Sequence, residues 1–167
     1  MASELNPPTP RGRLAGIDYG TVRIGVALTD FEQKYCSPLE IYNRRTIALD
    51  AMYFQKLVKE ERVIQFVVGL PTHLDGYESA KSLEVRKFGV WLTSQTGIPV
   101  EYTDERYSSV EADNLLREAG LKASERKKKL DMLAAQILLS AYLEQRAARL
   151  ADPTKNQSSS HNAEQSL

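Results

Sequence analysis

The sequence predicts an α/β domain, a mixed sheet covered by helices. Three observations carry this. Apolar segments follow one another from Arg13 to Tyr42 with only short polar connections, the pattern of antiparallel strands. After them, apolar runs alternate with segments of helical period, the pattern of parallel strands joined by right-handed crossovers. The length, 167 residues, suits one domain.

Each element has its own signal. Residues 1–12 are rich in proline and small polar residues and are expected to be disordered, as is the polar tail 150–167, which contains His161. Arg13 to Asp18 reads as a buried strand, and Ile24 to Thr29 as its hairpin partner across a turn at Gly20. Ser37 to Tyr42 reads as a third strand with Pro38 near its start, where proline is tolerated. "ALDAMYFQKLVKEE" places Leu49, Met52, Tyr53 and Leu57 on one helical face. "VIQFVVGLP" is the strongest strand signal: β-branched, apolar, and ended by Gly69-Leu70-Pro71. A helix follows from Ser79 to Thr96, with Trp91 in its core face, and Gly97 and Pro99 stop it. "VEYT" is a short fifth strand. Ser108-x-x-Glu111 has the form of a capping box for a helix that Gly120 closes. The last helix, Lys128 to Arg149, puts Leu130, Leu133, Ala134, Ile137, Leu138 and Ala141 on one stripe.

Composition bounds the function. The chain is 42% hydrophobic and 26% charged, ordinary for a soluble globular protein. No apolar stretch approaches the roughly 18 residues of a membrane span, and "MASELNPPTPRGR" has no apolar signal core. One cysteine, Cys36, cannot form an internal disulfide, and one Cys with two His is too few for a structural zinc site. A reducing cytoplasm is the expected setting. The 22 basic and 22 acidic residues balance, but not locally: Arg117 to Lys129 holds six basic residues against two acidic. Arg126, Lys127, Lys128 and Lys129 form its densest part.

The chemistry starts from a carboxylate in the wrong place. "RLAGIDYGTVRIGVAL" brings Asp18 to the end of a buried strand, where a lone charge costs several kcal/mol unless compensated. It either caps a turn or meets a cation. In α/β sheets ligands gather at the carboxyl ends of parallel strands. Asp104 and Glu105 follow strand five, Asp75 lies in the loop after strand four, and Asp131 opens the last helix beside its apolar stripe. For Asp131 alone, helix-dipole stabilisation is explanation enough. Taken together, converging carboxylates repel unless cations lie between them. Hard oxygen ligands suit Mg²⁺ or Mn²⁺, and two such ions about 4 Å apart clamp a phosphodiester for attack by water. The basic run just before Asp131 supplies phosphate-binding charge. On this reading Asp18 is a metal ligand. Arg23 and Arg106 are further phosphate candidates, and each is equally explained as a turn charge or an ion-pair partner.

Four segments, in order, carry a specific resemblance. "GIDYGTVRIGVAL", "VVGLPTHLDG", "TDERYSSVEA" and "KKKLDMLAAQILLSAYLE" resemble the YqgF family of RuvC-like, RNase H-fold nucleases, the pre-16S rRNA nucleases related to Holliday junction resolvases. Tyr19 stands where that family commonly has Phe, and Tyr107 and Ser109 replace its Leu and Thr. The resemblance spans Arg13 to Gln145. It implies an RNase H-like five-stranded mixed sheet with helices on both faces, and Asp18, Glu105 and Asp131 as a triad for two Mg²⁺ or Mn²⁺ ions, with Asp104 and Asp75 in reserve. It also implies 5′-end maturation of pre-16S ribosomal RNA, with junction resolution as the alternative. The partners would be structured RNA or branched DNA, pre-ribosomal particles included, for a monomer or homodimer. Two other readings compete. A silent RNA-binding module on the same fold would retain the carboxylates without turnover. An ATPase of the actin and sugar-kinase kind shares Asp-x-Gly-Thr in its first hairpin but needs two lobes.

Overall fold

In the computed structural model of the chain, residues 11–71, 78–104, 114, 116–152 and 154 are described. The first three strands form a meander: β1 (Arg13–Asp18), β2 (Arg23–Thr29) and β3 (Cys36–Asn43). β1 and β2 are antiparallel with Asp18 opposite Gly25, and β3 pairs antiparallel to β2. The turn between β1 and β2 is tight at Gly20, where a Cβ would lie 2.3 Å from the Arg23 carbonyl oxygen. Only glycine fits that approach. Pro38 is accommodated because β3 is an edge strand, beside a register shift at Val26/Ala27.

From there strands and helices alternate. α1 (Ile47–Glu61) starts at Thr46, whose hydroxyl accepts from the Leu49 amide, and ends at Arg62 in the left-handed region, φ 52°. β4 (Val63–Leu70) lies parallel to β1. α2 (Ala80–Thr96) is capped by Ser79, whose Oγ accepts from the Ser82 amide at 3.0 Å, and is stopped by Gly97 at φ 73°. β5 (Val100–Asp104) lies parallel to β4. The sheet order is β3-β2-β1-β4-β5. Gly120, at φ 80°, closes helical residues 114 and 116–118 as expected, while Ser108 and Glu111 lie outside the described residues. α3 (Ala123–Ala151) begins five residues before the predicted start. Glu125 accepts from the Lys122 amide at 3.1 Å, satisfying one donor at its first turn. No helix of the described residues is long and apolar enough to cross a membrane. Of the predicted tails, residues 1–10, 153 and 155–167 lie outside the described residues.

Strand alternation sends successive β1 side chains to opposite layers. Ala15 and Ile17 join Phe54, Phe66, Val85, Phe88 and Leu92 in the core beneath α1 and α2. Leu14 packs with Ala27, Val67, Ala135, Leu138, Leu139 and Tyr142 beneath α3. Two predicted helix faces are rotated from those observed. In α1 the buried residues are Asp50, Ala51, Phe54 and Leu57, while Leu49 and Met52 are exposed, because Asp50 has polar partners that make its burial possible. Trp91 packs partly buried against the first core, as expected. In α3 the buried stripe is Ala135, Leu138, Leu139 and Tyr142, displaced from the predicted one because the sheet beneath offers glycines. At Gly16 a Cβ would lie 2.8 Å from Leu139 Cβ and 2.9 Å from the Ala135 carbonyl oxygen. Helix and strand therefore touch at backbone distance. Gly16→Ala is expected to push α3 outward and cost about 1–3 kcal/mol, the range of overpacked cores, read as a lower urea midpoint with an unchanged slope.

Candidate active site

Asp18 shares the α3 side of β1 with Leu14 and Gly16, at the carboxyl end of the strand. Gly25 lies opposite, and a Cβ there would sit 3.4 Å from Asp18 Cβ and 3.5 Å from Ala135 Cβ. Asp18 and Ala135 thus both lie over Gly25. Asp131 is one helical turn before Ala135 on the same face of α3. From Ala135 back to Ala123 the helix runs on for about 18 Å at about 1.5 Å per residue, past the end of β1.

Asp18 is perturbed by its surroundings. Burial pushes the Asp18 carboxyl above its usual value, Lys81 on the first turn of α2 pulls it back, and Asp131 pushes it up again. Among the described residues no amide donates to Asp18, so it is not a turn cap. A half-buried carboxylate destabilised by burial and by a second carboxylate is an environment that a hard cation relieves, and the donor set suits one. Asp131, exposed on α3, is the second carboxylate on this side of the sheet. Among the described residues there is no group of three metal-ligating side chains. Glu105, Arg106 and Asp75 lie outside the described residues. Asp104 ends β5 opposite Leu70 and alternates with Thr103. It falls on the face of Tyr102, whose ring packs into the α1/α2 core, away from Asp18. Lys81 escapes a sequence reading because its nearness to Asp18 exists only once α2 is docked.

Behind Asp18 a polar network fixes the turn. Asp50, 1% exposed, accepts from Tyr42 Oη at 2.8 Å, the Arg45 amide at 2.9 Å and Arg44 Nε at 3.2 Å. Arg44 Nη1 reaches Tyr19 Oη and the Gly20 carbonyl, each at 3.4 Å, and its amide donates to the Val22 carbonyl at 2.9 Å. Tyr19 Oη donates to Glu84 of α2 at 2.6 Å, and its ring lies 4.8 Å from that of Phe88. The turn that follows Asp18 is thereby tied to α1 and α2 together.

The basic residues differ in exposure. Arg126 is half-buried and donates to the Leu121 carbonyl at 2.8 Å, serving the start of α3. Lys127, Lys128 and Lys129 are exposed along the part of α3 that runs past β1. Arg23 is exposed at the start of β2, opposite Asn43.

Comparison with known proteins follows the same lines. The RuvX family, described as Holliday junction resolvase, matches residues 12–145. A Rhodopirellula baltica protein named "Putative pre-16S rRNA nuclease" is 48% identical over 133 residues, covering 80% of this chain and 77% of that one. A Koribacter versatilis protein of the same name is 33% identical over 147 residues, covering 88% and 96%. In fold, the chain is similar to Thermus thermophilus RuvC in complex with Holliday junction substrate, with a TM-score of 0.51 at 16% identity over 82% of this chain and 96% of that one. It is also similar to the yeast mitochondrial Holliday junction resolvase, with a TM-score of 0.50 at 11% identity over 89% and 85%. The sheet is RNase H-like and RuvC-like, as the resemblance implied, and the chain belongs to the RuvX, or YqgF, family.

Proposed function

We propose that this protein is a metal-dependent nuclease that hydrolyses phosphodiester bonds in structured nucleic acid, and that its task is 5′-end maturation of pre-16S ribosomal RNA in the cytoplasm. The observation that carries this is the half-buried Asp18 at the carboxyl end of β1, lying with Ala135 over Gly25, with Asp131 one helical turn before Ala135 and close enough to raise the Asp18 carboxyl. The names of the curated relatives support the ribosomal substrate. Asp18 and Asp131, with Glu105 as the third carboxylate, would hold two Mg²⁺ or Mn²⁺ ions. Asp104, on the opposite face, is the weaker alternative. When bound, such ions supply Lewis acidity at phosphorus and a water nucleophile at neutral pH. Lys81 favours the ionised form of Asp18. Lys127, Lys128 and Lys129 on one side, with Arg23 on the other, hold the phosphate backbone across the site. Arg106 joins them in that role. Pre-ribosomal particles are the natural partners.

The family's description as a junction resolvase sustains the second reading, branched DNA cut by a pair of subunits. The deciding experiment incubates the protein with a pre-16S RNA fragment and with a four-way DNA junction, each with Mg²⁺, with Mn²⁺ and with chelator. Metal-dependent cleavage of the RNA alone is the expected result. Cleavage of the junction alone transfers the assignment to DNA, and cleavage of neither leaves a binding module. A charge reversal tests the phosphate grip. Lys127→Glu with Lys128→Glu should leave the melting temperature unchanged, weaken nucleic-acid binding and flatten the dependence of log Kd on log salt by about two phosphate contacts. Unchanged affinity and slope would return these lysines to a solvated helix face.

A further inference from the structure

Thr103 is the residue before last in β5 and is 5% exposed. Its Oγ1 has no hydrogen-bond partner among the described residues. A buried hydroxyl without a partner works against folding, and valine would fill the same volume without that cost. The register shows which row and face Thr103 occupies. Ile17 pairs with Val68, Val68 with Tyr102, and Gly69 with Thr103. One step beyond Ile17, Asp18 therefore falls in a row with Gly69 and Thr103 across β1, β4 and β5. The face is also the same. Glu101, two residues before Thr103, accepts from Tyr142 of α3, so alternation puts Thr103 on the α3 side with Asp18. Gly69 places no side chain between them. The two ends of the row are about 10 Å apart, two strand spacings, enough for a phosphate group and its ligands.

We propose that Thr103 is a further substrate-binding residue, whose Oγ1 donates a hydrogen bond to a non-bridging oxygen of the phosphate seated between Asp18 and β5. The inference rests on the nuclease reading for the identity of the substrate. A phosphate oxygen suits this hydroxyl because it accepts from a neutral donor and carries the charge that makes such a bond strong. Nothing in the sequence draws attention to Thr103, since a threonine in a strand is ordinary.

The test compares wild type with Thr103→Val and Thr103→Ser. Three quantities are read: the melting temperature without metal, the Kd for a labelled pre-16S RNA fragment in Ca²⁺, and kcat/KM for cleavage in Mn²⁺. Thr103→Val should melt at or above wild type, bind more weakly, and lose about tenfold or more in kcat/KM, the size expected for one hydrogen bond to a charged group. Thr103→Ser should recover most of both losses. A Thr103→Val protein that binds and cleaves like wild type overturns the proposal. So does one that melts lower and is rescued in stability by Thr103→Ser, because the hydroxyl then serves an internal water. If wild type cleaves nothing, the nuclease reading fails, and the binding comparison still decides the role of Thr103.

Discussion

Asp18→Asn is expected to lower cleavage by more than about 1000-fold, about 4 kcal/mol of transition-state stabilisation, while leaving the metal-free protein as stable as wild type or more so. The two effects separate because the substitution keeps size and shape and removes only charge. Burial, and then Asp131, raise the Asp18 carboxyl above its ordinary value of 3.8, against the opposing pull of Lys81. A raised carboxyl value means that ionisation works against folding. The stability tied to the protonated form is fully present below about pH 4 and is lost as pH rises through the folded value. At neutral pH the asparagine variant escapes that loss, and its advantage should shrink as the pH is lowered. Metal reverses the order. A ligand at 100 times its Kd stabilises the folded state by about 2.7 kcal/mol, so Mn²⁺ should raise the melting temperature of wild type and raise that of the variant less. Melting curves with and without Mn²⁺, at two pH values, read all of this beside the cleavage assay. Equal cleavage by the two proteins would defeat the nuclease reading. An equal response to Mn²⁺ would remove Asp18 from the ligand set.

Asp18 was legible because it interrupts a local pattern, a charge at the end of an apolar strand. The helix stops at Gly97 and Gly120 were legible for the same reason: each is a left-handed position next to the end of a periodic segment. The rotated faces of α1 and α3 were not local. Asp50 looks like a solvent residue until the strand that brings Tyr42 and the link that brings Arg44 are in place. Ala135 looks like a poorer core residue than Leu130 or Ile137 until Gly16 and Gly25 beneath it require something small. That rotation matters to the site, since it moves Asp131 from beside the buried stripe into line with it. Asp104 and Glu105 are adjacent in sequence, and only alternation along β5 places Asp104 on the α2 side.

Asp50→Ala is expected to be the most damaging single change outside the carboxylates of the site. The carboxylate is 1% exposed and accepts three hydrogen bonds, one from the Arg44 guanidinium. Removing one partner of a buried pair leaves an uncompensated charge and costs about 3–5 kcal/mol, a large share of the roughly 5–15 kcal/mol that holds a domain together. The melting temperature should fall by roughly 10 °C. The acid limb should change as well. Burial alone would raise the Asp50 carboxyl; the Arg45 amide, the Tyr42 hydroxyl and Arg44 outweigh it and hold the value below 3.8. The stability this supplies is present above about pH 4 and is lost as pH falls through the folded value, so wild type should lose its advantage over the variant in acid. The informative comparison is the double variant Arg44→Met with Asp50→Leu. A buried pair replaced by apolar residues of similar size is often neutral or stabilising, so most of the lost stability should return. Cleavage should not return with it, because Arg44 also holds the Gly20 carbonyl and Tyr19, and methionine offers the turn after Asp18 no donor. If the double variant recovers cleavage along with its melting temperature, the pair serves the core alone. If it recovers only the melting temperature, a charged pair that the core does not need is there to hold the turn that follows Asp18.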